Sequence, residues 1–146
     1  MGHHIEAMIT KGEINSEIAK SFGLPFFYHN GFTIVALFAS HIDFWGDKLG
    51  IEHDSVGEII CDCSVSHYFA KNLELNKYAI IMTEYFGGIG EQYASVYSEG
   101  ETIMPETKDG INEALRKIGV VRANNKDEFD TICLGNYRSF DEYFGD

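Results

Sequence analysis

Three groups of residues have types and spacings that chemistry can use. The first is Gly87-Gly88-Ile89-Gly90, which has the outline of a phosphate loop. Such a loop needs a lysine and a following helix, or a helix whose N-terminus faces a pyrophosphate. Here the glycines run into residues 92–98, which read as a strand, and Glu84 and Glu91 flank them with the wrong charge. The plainer reading is a wide hairpin or bulge that needs positive φ. The functional reading is a loop that displays Tyr85, Phe86, Glu91 and Gln92 to a partner.

The second group is His41, Asp43, Asp47, His53 and Asp54, the best metal-ligand types in the chain. His41-x-Asp43 and His53-Asp54 could each offer two ligands. No motif fixes their geometry, and Phe44 and Trp45 among them point to packing. The third group is Cys61-x-Cys63 with His67 four residues on. A thiol nucleophile with His67 as base is one reading. The other, adopted here, is that both thiols are small buried groups, because no oxyanion donor or orienting residue can be named. With Cys133 the thiol count is odd, so all three are expected to be reduced, in a reducing compartment. Neither a cofactor nor a bound metal is expected, and no catalytic residue is assigned.

The C-terminal region interleaves Asp127, Glu128, Asp130, Asp141 and Glu142 with Phe129, Tyr137, Phe140, Tyr143 and Phe144. Either the carboxylates form a solvated face, or some aromatics serve as anchors within a ring of charge. The charge of the whole chain, taken separately, points to a role in binding. The chain carries 23 acids against 11 bases, a net charge of −12, yet is 45% hydrophobic and 14% aromatic. A disordered acidic tail would be poor in aromatics, so this chain folds. Its field attracts basic partners and repels nucleic acid and acidic membranes. The most apolar stretch, residues 32–39, is too short to span a bilayer, and no export signal is visible, so the expected location is the cytoplasm.

The elements that position these groups can be read from period and punctuation. Ile5, Ala7 and Ile9 alternate with polar neighbours, predicting a strand over residues 3–9. Thr10-x-x-Glu13 reads as a capping box for a helix with Ile14, Ile18 and Phe22 on one face and Gly23 as its stop. Asn30-Gly31 between two apolar runs predicts a hairpin, and the second run, residues 32–38, is apolar on both faces like a central strand. Residues 40–58 read as irregular. A helix follows over residues 64–74, then strands over 78–86, 92–98 and 102–104. Asp109 is expected to cap a helix that buries Ile111, Leu115 and Ile118, and Asn125 and Ser139 to open two short terminal helices. Hairpins interspersed with helices, without βαβ alternation, favour a single α+β domain over residues 1–146, with a largely antiparallel sheet flanked by short helices.

Several segments resemble short bacterial proteins that are mostly uncharacterised. They are Gly2-His3-His4-Ile5-Glu6-Ala7, the run from Glu84 to Gln92, Ile111-Asn112-Glu113-Ala114-Leu115-Arg116, and Asp127-Glu128-Phe129-Asp130 with Leu134-Gly135. The resemblance implies one domain from end to end and carries over no catalytic residue. In size and charge the chain is also similar to immunity proteins, which neutralise basic secreted toxins. The expected function is therefore an acidic cytoplasmic binding protein that blocks a basic toxin domain. Its expected contacts are Glu84, Tyr85, Phe86, Glu91, Gln92, Asp127, Glu128, Asp130, Asp141 and Glu142. Self-association is compatible with this reading. The alternative is a small enzyme or ligand-binding protein with its pocket at the hairpin of residues 84–92.

Overall fold

Strand β1 (Gly2–Lys11) lies in the interior of the sheet, although it is the first of the strands in sequence order. In the computed structural model, which describes residues 2–55, 57–86 and 89–144, β1 pairs antiparallel with both β3 (Phe32–Leu37) and β4 (Lys77–Phe86). With β2 (Phe26–His29), β5 (Ile89–Ser98) and β6 (Glu101–Lys108) these strands form one six-stranded sheet, in the order β2-β3-β1-β4-β5-β6. Every pairing between neighbours is antiparallel. The expected α+β fold with an antiparallel sheet is what the chain adopts.

Both faces of the sheet are covered. Ile5, Ala7, Ile9, Ile34, Ile81 and Val96 point to one side, where α4 (Ile111–Lys117), α5 (Glu128–Thr131) and the C-terminal residues Leu134 and Phe140 close over them. Met8, Val35, Leu37, Ile80 and Met82 point to the other side, beneath α1 (Ser16–Ser21), α2 (Ala39–Leu49) and α3 (Ser64–Asn72). All six residues of β3 are buried, which is why its sequence shows no polar alternation. Asn30 (φ 50°) and Gly31 (φ 90°) make the tight turn expected between β2 and β3. Strand β6 runs well past residue 104, and its Pro105 is tolerated because this is an edge strand.

Four local expectations are corrected. Thr10 caps no helix: it stays in β1, and its hydroxyl donates to the Lys77 carbonyl at 2.9 Å. The cap of α1 is Asn15, whose Oδ1 accepts the N–H groups of Glu17 at 3.0 Å and Ile18 at 3.1 Å. Residues 39–49 are helical, contrary to the irregular reading of 40–58. Helix α2 carries no side-chain cap at Phe38 and contains Gly46, so it lacks both a start signal and a continuous helix-forming interior. Gly46 is there for contact, since any Cβ would stand 2.8 Å from the Ile51 carbonyl oxygen. Finally, Asp109 (φ 58°) does not cap α4, and Asn125 does not cap α5, where Asp127 does.

Candidate acidic interface

The hairpin of β4 and β5 places Glu84 directly opposite Glu91. Like charges facing each other across a strand pair are locally destabilising. Each has a single weak offset: His4 Nδ1 lies 3.5 Å from Glu84, and Lys108 Nζ lies 3.7 Å from Glu91. Both carboxylates remain open to solvent, with 69% and 48% of the side chain exposed. Two residues beyond Glu91 on the same side of β5 is Tyr93, whose phenol is pushed up by burial and then by the charges of Glu91, Glu58 and Glu106. Acid from three segments thus gathers on one face. Ile89, 81% exposed on the hairpin, and Ile60, exposed on the loop after Glu58, supply apolar surface beside it.

Carboxylates of the sheet also anchor the loop beside this face. Glu106 on β6 accepts the N–H groups of Glu58 at 2.9 Å and Ile59 at 3.0 Å, one with each oxygen. Buried Glu6 on β1 accepts the N–H of Cys61 at 2.9 Å. Burial raises the Glu6 carboxyl above its ordinary range, and the bonds from Cys61 oppose that only in part. Part of the acid surplus is therefore scaffolding for the loop over residues 57–61.

The sequence-derived contact residues divide between two surfaces. Glu84 and Glu91 lie on the acidic face, and Asp141 adjoins it, lining a small cleft of about 180 Å³ with His4, Glu6 and Ile60. Phe86 ends β4 opposite Ile89, and Gly87 and Gly88 lie outside the described residues. Tyr85 and Gln92 alternate to the other side of the sheet, where the side-chain carbonyl of Gln92 accepts the N–H of Ile111 and caps α4. Asp127 caps α5 through Asp130 N at 2.9 Å and receives Asn112 Nδ2 at 3.2 Å. Glu128 is 2% exposed and bonded to Arg116 at 3.1 Å, so it is closed to a partner. Asp130 and Glu142 are exposed, Asp130 among the elements over the opposite face from Glu84.

A second polar constellation surrounds His67. Its Nε2 lies 2.9 Å from Asp62 Oδ1, which can only accept from it, and its Nδ1 lies 2.6 Å from the Tyr78 hydroxyl. Ser95 Oγ and Tyr97 Oη both donate to Asp62 Oδ2, at 2.8 and 2.6 Å. Burial works to raise the Asp62 carboxyl, but the bonds from His67, Tyr97 and Ser95 outweigh it and hold the group below its ordinary range. Burial, then the charge of Asp62, pushes Tyr78 up to about 12, so it keeps its proton. The network borders a cleft of about 640 Å³ lined also by Lys71, Leu75 and Thr102. Both ring nitrogens of His67 are engaged, so neither can take a proton from a substrate without breaking a bond. The sequence reading missed Asp62, Tyr78, Ser95 and Tyr97. The signal was there in Ser95 and Tyr97, two polar residues alternating with the buried Ala94 and Val96.

His67 is not paired with a thiol. Cys61 and Cys63 are buried, and burial pushes both thiols up, away from the nucleophilic thiolate. The metal-ligand types are dispersed in the same way. His41 Nε2 binds the Phe22 carbonyl at 2.7 Å, Asp54 Oδ1 accepts Ser64 N at 2.8 Å at the start of α3, and only His53 and Asp43 approach each other, at 3.4 Å. Among the described residues no group of three or more His, Cys, Asp or Glu side chains could hold a metal ion. Among them, too, no helix is long and apolar enough to cross a membrane. Compared with family models, curated proteins and solved structures, the chain matches none.

Proposed function

We propose that this chain is an acidic binding protein of the immunity type, which docks the face of Glu58, Glu84, Glu91 and Glu106 onto a basic protein such as a toxin domain and blocks it. The observation that carries this reading is the Glu84–Glu91 pair. Two exposed carboxylates placed opposite each other cost local stability, and a lysine or arginine from a partner would relieve both at once. Ile89 and Ile60 supply apolar contact beside the charge, the arrangement from which tight interfaces are built. The net charge of −12 adds long-range steering toward a cationic partner. The role needs no catalysis, and it places the protein in the bacterial cytoplasm, where a producing cell must meet its own toxin.

The test is a kinetic one, against a basic protein encoded by a neighbouring gene. Glu84→Lys with Glu91→Lys should slow association about tenfold or more and flatten its salt dependence, because rim charges act on the on-rate. Ile89→Ala should speed dissociation instead. If both rates are unchanged by all three substitutions while Asp130→Lys alters them, the interface lies on the opposite face and this assignment fails.

A second reading, a small-molecule binding protein, is favoured by the cleft beside His67 and Tyr97. That pocket is not at the hairpin, where the sequence suggested one.

A further inference from the structure

Strand β2 forms one edge of the sheet, and its outer side carries backbone groups that β3 does not use. Asn30 and Gly31 make a two-residue turn, so His29 and Phe32 are a hydrogen-bonded pair, and alternation makes Phe27 and Ile34 the next one. The Pro25 carbonyl accepts the Ala36 N–H at 2.9 Å, which continues the same series. The N–H and carbonyl groups of Phe26 and Tyr28 therefore point away from β3. Among the described residues no other strand pairs with β2, and no backbone bond from a turn or loop reaches Phe26 or Tyr28.

An open edge invites another strand, and folded proteins usually blunt it with charge, proline or a bulge. The opposite edge is blunted in all three ways. Strand β6 contains Glu101, Pro105, Glu106 and Lys108, and its pairing with β5 shifts register twice. Strand β2 reads Phe-Phe-Tyr-His, in unbroken register with β3, and only its shortness restrains it. No Asp, Glu, Lys or Arg occurs between Lys20 and Asp43, in a chain of which 23% of residues are charged. Burial accounts for that along β3, where all six residues are buried. It does not account for β2, where Tyr28 is 52% exposed and the other three residues are half-buried. On one face the aromatic surface continues to Tyr143, itself exposed, whose ring centre stands 5.0 Å from that of Phe27.

We propose that β2 pairs antiparallel with the β2 strand of a second copy of this chain, joining two sheets edge to edge about a two-fold axis. The axis passes beside Phe27, so that Phe26 of each copy bonds with Tyr28 of the other. Charge selects this occupant. A basic protein, which a net charge of −12 attracts, finds no carboxylate on this strand. Two copies repel each other wherever acid is dense, and the uncharged edge is where they approach at least cost. Four residues a side make a small contact, so the dimer is a weak one, with a Kd on the order of 100 µM. Strands β3 and β1 separate β2 from the Glu84–Glu91 hairpin, so the acidic face stays open in the dimer and the inference rests on no part of that proposal.

Sedimentation of the full chain from about 10 µM to about 1 mM, a range that brackets such a Kd, tests it. The mass should rise from one chain to two, and at lower concentration when salt is added, because salt screens the repulsion between like-charged copies. Binding to a cationic protein has the opposite salt dependence, so the failure of one reading is distinguishable from the failure of the other. Tyr28→Lys should weaken dimerisation about tenfold or more by setting two ammonium groups at the joint. Tyr28→Pro removes an outward N–H without touching the bonds to β3, and should do the same. Circular dichroism and melting curves verify that each variant is folded. Ile103→Lys, at an exposed position on β6, should dimerise like the parent chain. A chain that stays monomeric throughout overturns the proposal, whatever other strand the edge accepts. So does unchanged dimerisation in folded Tyr28→Lys, and loss of the dimer in Ile103→Lys would put the joint at β6 instead.

Discussion

The Gln92 side chain, on β5, accepts the backbone N–H of Ile111 at 2.9 Å and so caps a helix from another element. Helix α4 has no capping side chain of its own at Gly110. Gln92→Ala should therefore cost about 1 kcal/mol in urea unfolding, the usual value of a helix cap. Gln92→Glu, which keeps an acceptor and adds a negative charge at the helix N-terminus, should retain most of the parent stability. An unchanged unfolding midpoint in Gln92→Ala would show that water caps α4 equally well.

Asp62 and Glu6 should respond to pH in opposite senses. The Asp62 carboxyl is held below its ordinary range in the folded chain, so its ionised form favours folding. That stability is present above the unfolded pKa of about 3.9 and disappears as pH falls through the lower folded value. Asp62→Asn should lose about 2 kcal/mol at pH 7, because Ser95, Tyr97 and His67 lose a charged acceptor, and the gap to the parent chain should close below about pH 4. Chemical denaturation at several pH values measures it; a gap independent of pH would contradict this account of the network.

For Glu6 the sign reverses. Burial raises its folded carboxyl above the unfolded value of about 4.3, so the folded chain binds the extra proton and stability declines as pH rises between the two. Glu6→Gln keeps an oxygen to accept from Cys61 and carries no charge into the interior. It should be as stable as the parent chain at pH 7, or more so, and lose that advantage below about pH 4. A clearly destabilised Glu6→Gln at neutral pH would show that the charge itself holds the loop.

The fold was legible where the signal is local. Asn30-Gly31 fixes a turn by its φ values, and the run before Phe38, apolar on both faces apart from Thr33, announces a buried strand. It was illegible where long-range contacts do the work. Helix α2 is held by Ile42, Trp45 and the glycine contact with Ile51, none of which has a sequence signature. Carboxylates are harder still to assign from sequence. Glu84, Glu106 and Glu128 are one residue type with three different roles: an exposed charge, a clamp on two amides and a buried partner of Arg116. Only the pairing of strands and helices separates them.

The thiols give a simpler prediction. Cys61 and Cys63 are buried with their thiols pushed up, whereas Cys133 is half-exposed. A disulfide reagent at pH 8 should therefore modify one thiol per native chain quickly and the other two only on unfolding. Cys133→Ser should abolish the fast phase, and a fast phase that persists in that variant would place a reactive thiol at Cys61 or Cys63 instead.

The central position of β1 has a consequence for the order in which the molecule can be made. Strand β1 is synthesised before both of its neighbours in the sheet, and its pairing with β4 joins His4 to Glu84 and Gly2 to Phe86. Until the chain has been synthesised to Phe86, the apolar side chains of β1 have one flank uncovered. Closing so long a loop before contacts reward it makes assembly slow, and the nascent chain needs protection from other strands in that interval.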